Sequence, residues 1–181
     1  MTTTSRTPVH TDRHRRLDTS VWENGSNGQR FYNTTLRKSW KHEEEWKESR
    51  VSLGRENLLP AAALLQWADA AIGTAIEQEQ TADGKEPIAS KRRGLLEATV
   101  FHKEQDERST YAVKLRRSYK DGDDWKETAV WLSADDVLAA ARLLLRTFDG
   151  IDAIIDGSNR SFVDQAKEAF DGTVVEDDIP F

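Results

Sequence analysis

Between residues 21 and 151 the chain alternates stretches of period-two hydrophobicity with two stretches of helical spacing. Tyr111, Val113 and Leu115 alternate with Thr110, Ala112, Lys114 and Arg116, which predicts a strand over 109–119 with one apolar and one basic face. Tyr32, Thr34 and Leu36 alternate in the same way with Phe31, Asn33, Thr35 and Arg37, predicting a strand over 30–40. Further strands are predicted over 46–53 and 125–132. Val51, Leu53, Val130 and Leu132 form their apolar side, opposite Trp46, Glu48, Arg50, Ser52, Trp125, Glu127, Ala129 and Trp131. Short opening strands fall near Val21-Trp22 and over 98–102, and the run Asn24-Gly25-Ser26-Asn27-Gly28 is a hairpin signal. The long strand of each set reads equally as one piece or two, so each set has three or four strands.

Each set ends in a helical pattern. Leu58, Leu59, Ala62, Leu65, Ala68, Ile72 and Ile76 make one stripe, and Val137, Leu138, Ala141, Leu144, Leu145 and Phe148 the other. Pro60 fits the first turn of a helix, where its missing N–H costs nothing, so the first helix is expected to start near Glu56 or Asn57. Ser133 with Asp136 three residues on resembles a capping box at the start of the second. The polar stretch 78–94 reads as a linker, and Phe162, Val163, Ala166, Ala169 and Phe170 read as a short separate helix after Asp156-Gly157-Ser158.

The two sets are copies. A shift of 79 residues, without a gap, places Tyr32 on Tyr111, Leu36 on Leu115, Arg37 on Arg116 and Trp46-Lys47-Glu48 on Trp125-Lys126-Glu127. It also places Val51 on Val130, Leu53 on Leu132 and Leu64-Leu65 on Leu143-Leu144. Such self-similarity marks an internal duplication.

The helical stripes need an apolar partner, so Leu36, Val51, Leu53, Leu115, Val130 and Leu132 are expected to face them. That leaves Arg37, Trp46, Arg50, Lys114, Arg116, Trp125 and Trp131 on a face without a helix. Cations interleaved with indoles suit single-stranded nucleic acid: phosphates need positive charge and unstacked bases need flat π surfaces, with stacking worth ~1–3 kcal/mol per base.

Composition narrows the alternatives. Hydrophobic residues make up 37% and charged ones 32%, the balance of a modest core with polar flanks. The net charge of −6 means that positive charge has to be gathered on one face for nucleic acid to bind. Cysteine is absent, which excludes disulfides and thiolate metal sites. No apolar run reads as approaching the ~20 residues that cross a bilayer, and no stretch resembles a secretory signal. No Gly-rich phosphate loop, HExxH or GxSxG occurs, and His42 and His102 do not align under the repeat. No enzyme, cofactor or metal is expected, and the location expected is cytoplasmic, beside the nucleoid.

The sequence closes in Asp177-Asp178-Ile179-Pro180-Phe181. This resembles the acidic C-terminal tip of bacterial single-stranded DNA-binding proteins, which in that family docks replication, recombination and repair proteins. The duplicated strand-and-helix units resemble the Pur-alpha repeat and the related Whirly and positive-cofactor-four single-strand binders. In the second copy the basic strand, the Lys120-Asp121-Gly122-Asp123 turn, the short strand and the Leu132-Ser133 entry to a helix carry that resemblance. It implies an α+β chain of two tandem β-β-β(-β)-α repeats, antiparallel sheets each with one helix, forming an intramolecular pseudo-dimer. The expected organisation is a disordered basic arm over 1–18, repeats over 19–77 and 96–156, a linker over 78–95 and a flexible tail over 157–181. The implied partners are single-stranded DNA, with RNA as the alternative, and replication and repair proteins held by Asp177, Asp178, Ile179, Pro180 and Phe181. No membrane is implied, and a homodimer stays open. A regulator of transcription and a protein-only adaptor are the competing readings.

Overall fold

The computed structural model describes residues 7–26, 28–82, 86–105 and 108–171. Strands β1 (His10–His14), β2 (Leu17–Ser26), β3 (Gln29–His42) and β4 (Glu45–Gly54) lead into helix α1 (Arg55–Glu77). Strands β5 (Pro87–Arg93), β6 (Leu96–Gln105), β7 (Arg108–Asp121) and β8 (Asp124–Ser133) lead into α2 (Ala134–Asp171). The class is α+β: one antiparallel eight-stranded sheet, in the order β1-β2-β3-β4-β8-β7-β6-β5, with two helices. The expectation of separate sheets is thereby corrected. The two meanders join edge to edge, because β4 and β8 each have one side left unpaired by their own hairpins and meet there.

The joint is narrow. Arg50 and Ala129 are its one paired position. On either side a hydroxyl substitutes for a backbone acceptor: the Ser52 N–H donates to Thr128 Oγ1 at 3.1 Å, and the Trp131 N–H to Ser49 Oγ at 3.0 Å. Ser49 and Thr128 stand 79 residues apart, as do Ser52 and Trp131. Backbone N–H groups within a sheet need an acceptor, and these side chains supply it where the backbones diverge.

Alternation decides which face is covered. Leu36, Val51, Leu53, Leu115, Val130 and Leu132 are all fully buried beneath the helices, as their period predicts. Each such burial is worth ~1.5–3 kcal/mol. The helices do not cover their own halves, however. α1 lies mainly over β6 and β5, and α2 over β1 and β2. Thr19 of β2 bonds Thr147 of α2 at 2.8 Å, Arg146 of α2 reaches Asp12 of β1 at 2.7 Å, and Lys91 of β5 sits 5.6 Å from the Trp67 ring of α1. The His10 ring lies 3.0 Å from where a Cβ on Gly150 would be, so a side chain there would press on β1. The picture of one helix per sheet is corrected to an exchange. Each helix leaves the strand of its half that lies at the joint and crosses onto the other half. Lys38 Nζ of β3 correspondingly meets Asp136 Oδ2 at 2.5 Å and Ser133 Oγ at 2.9 Å, at the start of α2.

Other boundaries move. Residues 10–14, expected within a disordered arm, form β1, and residues 87–93, expected within a linker, form β5. Both are edge strands rich in charge, a composition that discourages edge-to-edge pairing and leaves little alternation to read. α1 starts at Arg55, so Pro60 lies beyond the first turn. α2 continues through Gly157 to Asp171 instead of giving way to a tail at 157, since one helical glycine costs only ~1 kcal/mol. Where β5–β6 and β7–β8 turn on Gly94 and Gly122 at φ 61°, the equivalent turns of the first half place Arg15 and Glu43 at φ 55° and 54°. α1, with 23 residues and mean hydropathy 1.2 in its best window, is long and apolar enough to cross a membrane by length and composition. Apolar runs alone missed this. In the fold its Leu58, Leu65, Ala68 and Ile72 are buried.

Candidate nucleic-acid interface

The strand register lays one transverse row of side chains across the whole uncovered face. Arg13 pairs with Asp18, Asp18 with Arg37, Arg37 with Arg50 and Arg50 with Ala129. The row continues from Ala129 to Arg116, Arg116 to Glu97 and Glu97 to Arg92. Seven inter-strand steps of ~4.8 Å make it roughly 34 Å long. It touches every strand of the sheet and is dominated by arginine.

Two carboxylates hold each central arginine. Arg37 Nη2 lies 3.0 Å from Asp18 Oδ2, and its Nη1 lies 3.2 Å from Glu48 Oε2. Arg116 bonds Glu97 and, at 2.8 Å, Glu127 Oε2. Shifting Asp18, Arg37 and Glu48 by 79 gives Glu97, Arg116 and Glu127, so the ladder is duplicated entire. The hydrogen bond with Asp18 holds the Arg37 guanidinium above its ordinary pKa against the effect of burial. Bonds with Glu127 and then Glu97 do the same for Arg116. The Glu97 carboxyl is pushed down in turn, chiefly by its hydrogen bond from Arg116. These groups are oriented before any ligand arrives, and they present twice as much carboxylate as guanidinium, four groups to two.

Charge that is less tightly paired lies beside them. Arg50 has a 70% exposed side chain, and its contact with Glu48 is a loose 3.9 Å. Lys114 approaches Glu127 at 4.0 Å. Lys41 and Lys120 stand in register with Trp46 and Trp125. Those two indoles are 68% and 65% exposed and lie on opposite sides of the Arg50–Ala129 pair, four residues away along β4 and β8. At ~3.3 Å per residue they stand roughly 26 Å apart along the strands. An open cleft of about 440 Å³ lies between Trp125, Arg116 and Arg92. A smaller one of about 260 Å³ lies at the equivalent place, lined by Arg13, Asp18 and Arg37.

No protein-family model matches the chain, and neither does any curated protein.

The structure thus brings Arg37, Trp46, Arg50, Lys114, Arg116, Trp125 and Trp131 onto one face, as alternation required. Asp177, Asp178, Ile179, Pro180 and Phe181 lie outside the described residues. Sequence reasoning missed Arg92, which sat in a stretch read as linker, and placed Arg13 in a mobile arm whose basic cluster could touch phosphates rather than on the sheet. It also missed Phe101 and Lys103 on β6, and the carboxylates that brace the arginines. The 79-residue shift carried the signal for most of these, because it places Arg13 on Arg92 and Trp22 on Phe101. Among the described residues no group of three or more His, Cys, Asp or Glu is placed to hold a metal ion.

Proposed function

We propose that this chain binds single-stranded DNA across the uncovered sheet face, largely without sequence preference, as an intramolecular pseudo-dimer of two duplicated units. The observation that carries the reading is the arginine-dominated row crossing all eight strands, flanked by Trp46 and Trp125. Phosphates would meet Arg50, Lys41, Lys114 and Lys120, while bases would stack on the exposed indoles. A flexible single strand can follow a twisted sheet, which a stiff duplex cannot do without a cost in bending. The tip Asp177–Phe181 is proposed, on its sequence alone, to recruit replication and repair proteins to the bound strand.

Arg37 and Arg116 orient this face more than they contact the ligand. Replacing either with Glu would crowd three carboxylates into one ladder and disturb folding as well as binding, so Arg50, Lys41 and Lys120 are the informative positions. The test is a fluorescence-anisotropy titration of the full chain with labelled oligothymidylate, oligouridylate and duplex DNA over a salt series. Tight, salt-sensitive binding of oligothymidylate, with quenching of tryptophan emission, is expected. Tighter binding of oligouridylate would move the reading to RNA. Absence of binding at low salt would defeat it and favour the adaptor.

A further inference from the structure

The two halves of the uncovered face are not equal. Lys103 stands where the first half has Asn24, Lys114 where it has Thr35, Trp131 where it has Ser52, and Ala129 where it has Arg50. In the second half the first three of these differences build a cluster, while the fourth leaves Arg50 to the first half alone. The Trp131 ring lies 5.4 Å from Phe101, tilted by 41°, with Lys103 Nζ at 5.5 Å and Lys114 Nζ at 5.8 Å from its centroid. Trp131 remains 37% exposed. The first half has Trp22 at the place of Phe101, but Ser52 offers it no second ring.

The direction of β4 against β8 gives this inequality a consequence. The two strands are antiparallel, so turning one half onto the other reverses the direction of anything laid across them. On two equal halves a bound strand running 5′ to 3′ and one running 3′ to 5′ would meet the same groups and bind equally. A site present in one half only removes that equivalence.

Resting on the single-strand reading above, we infer that Phe101, Lys103, Lys114 and Trp131 form a nucleobase-stacking subsite that gives the bound strand a fixed polarity. The two ammonium groups already lie against the indole, where the ring quadrupole attracts them. An arriving nucleotide draws them to its phosphates, and its base takes their place on the ring. Only the lysine side chains swing, because Phe101 and Lys103 are held at the backbone on β6 beside β7.

The experiment uses the full chain and two oligothymidylates of about twelve nucleotides, within the range of single-strand sites. One carries 2-aminopurine at its 5′ end and the other at its 3′ end. The wild-type protein is expected to quench the two probes unequally. Trp131→Ala should diminish the inequality of quenching and weaken binding by roughly 5- to 150-fold, the loss of one base stack. Trp131→Phe, which keeps a ring in the same place, should retain the inequality and so separates stacking from a folding defect. Building the missing subsite into the first half, with Asn24→Lys, Thr35→Lys and Ser52→Trp together, should bring the two probes closer together without weakening binding. Equal quenching by the wild-type protein, or inequality undiminished in Trp131→Ala, would overturn the subsite while leaving single-strand binding in place. Failure of the wild-type protein to bind either probe would overturn the single-strand reading itself.

Discussion

Thr19 and Thr147 offer a direct chemical test of the helix exchange. Both side chains are fully buried, and they meet at 2.8 Å between β2 and α2. Thr147 Oγ1 also donates to the Leu143 carbonyl at 2.8 Å. Its one proton is therefore committed, and in the bond between the hydroxyls Thr19 is the donor and Thr147 the acceptor. Thr147→Val removes that acceptor and leaves the Thr19 hydroxyl buried without a partner, at a cost of ~1–3 kcal/mol. Thr19→Val leaves the Thr147 proton satisfied and costs less, ~0.5–1.5 kcal/mol. Replacing both should approach neutrality, since no polar atom is stranded. The other half already uses that solution, with Ala98 and Ala68 at the equivalent places. For a chain of this size 1 kcal/mol moves Tm by ~2–4 °C, so circular-dichroism melts of the four proteins resolve the cycle. The expected result is a double variant more stable than Thr147→Val alone. Effects that add to within ~0.5 kcal/mol would show that the hydroxyls do not meet, and the exchange of α2 onto the first half would fall with them.

Other outcomes follow from the same geometry. Arg50→Ala should lower the slope of log affinity against log salt by ~0.7 in oligothymidylate titrations, the share of one phosphate contact on a single strand. At Asp136, burial acts to raise the pKa, but hydrogen bonds from Lys38 and Ser133, with the Lys38 charge, outweigh it and hold the group low. A carboxyl lower in the folded state than in the unfolded one contributes fully above its unfolded value of ~4 and loses that contribution as pH falls through its folded value. Asp136→Asn should accordingly lower the urea midpoint at pH 7 and change it little near pH 2. Fragments 1–82 and 86–181 expressed separately should be unfolded or self-paired, and should yield a native circular-dichroism spectrum only when mixed. Removing residues 176–181 should leave oligothymidylate binding equal or tighter, because the acidic tip competes for the basic face; weaker binding would contradict that role.

What the sequence disclosed depended on where a residue's environment repeats with a period. Strand faces were legible because burial alternates every second residue, so Leu36 and Arg37 could be assigned to opposite sides without coordinates. The owner of each helix was not. The apolar stripes of α1 and α2 fit either half of a duplicated sheet equally well, and the duplication makes each half look self-contained. β1 and β5 were invisible for a different reason. Their place at the sheet's edges is fixed by backbone pairing, and His10–His14 and Pro87–Arg93 need few apolar side chains there. With those strands went Arg13 and Arg92, the two ends of the arginine row. The braced state of Arg37 and Arg116 depends on cross-strand register, which a propensity argument does not supply. The repeat alignment could have found it through Asp18 on Glu97 and Glu48 on Glu127.

The exchanged helices also set an order for synthesis. α2 emerges after the platform it covers, because β1 and β2 are made first. α1 emerges before its own, and β6 is complete only at Gln105, 28 residues after Glu77. At ~5–20 residues per second the ribosome needs about 1–6 s to make that stretch. For that interval a helix apolar enough to cross a bilayer lacks β5 and β6, the strands it mainly covers. The nascent chain therefore presents a transient substrate for holding chaperones, and slowing translation between residues 78 and 105 would lengthen the exposure without altering the finished protein.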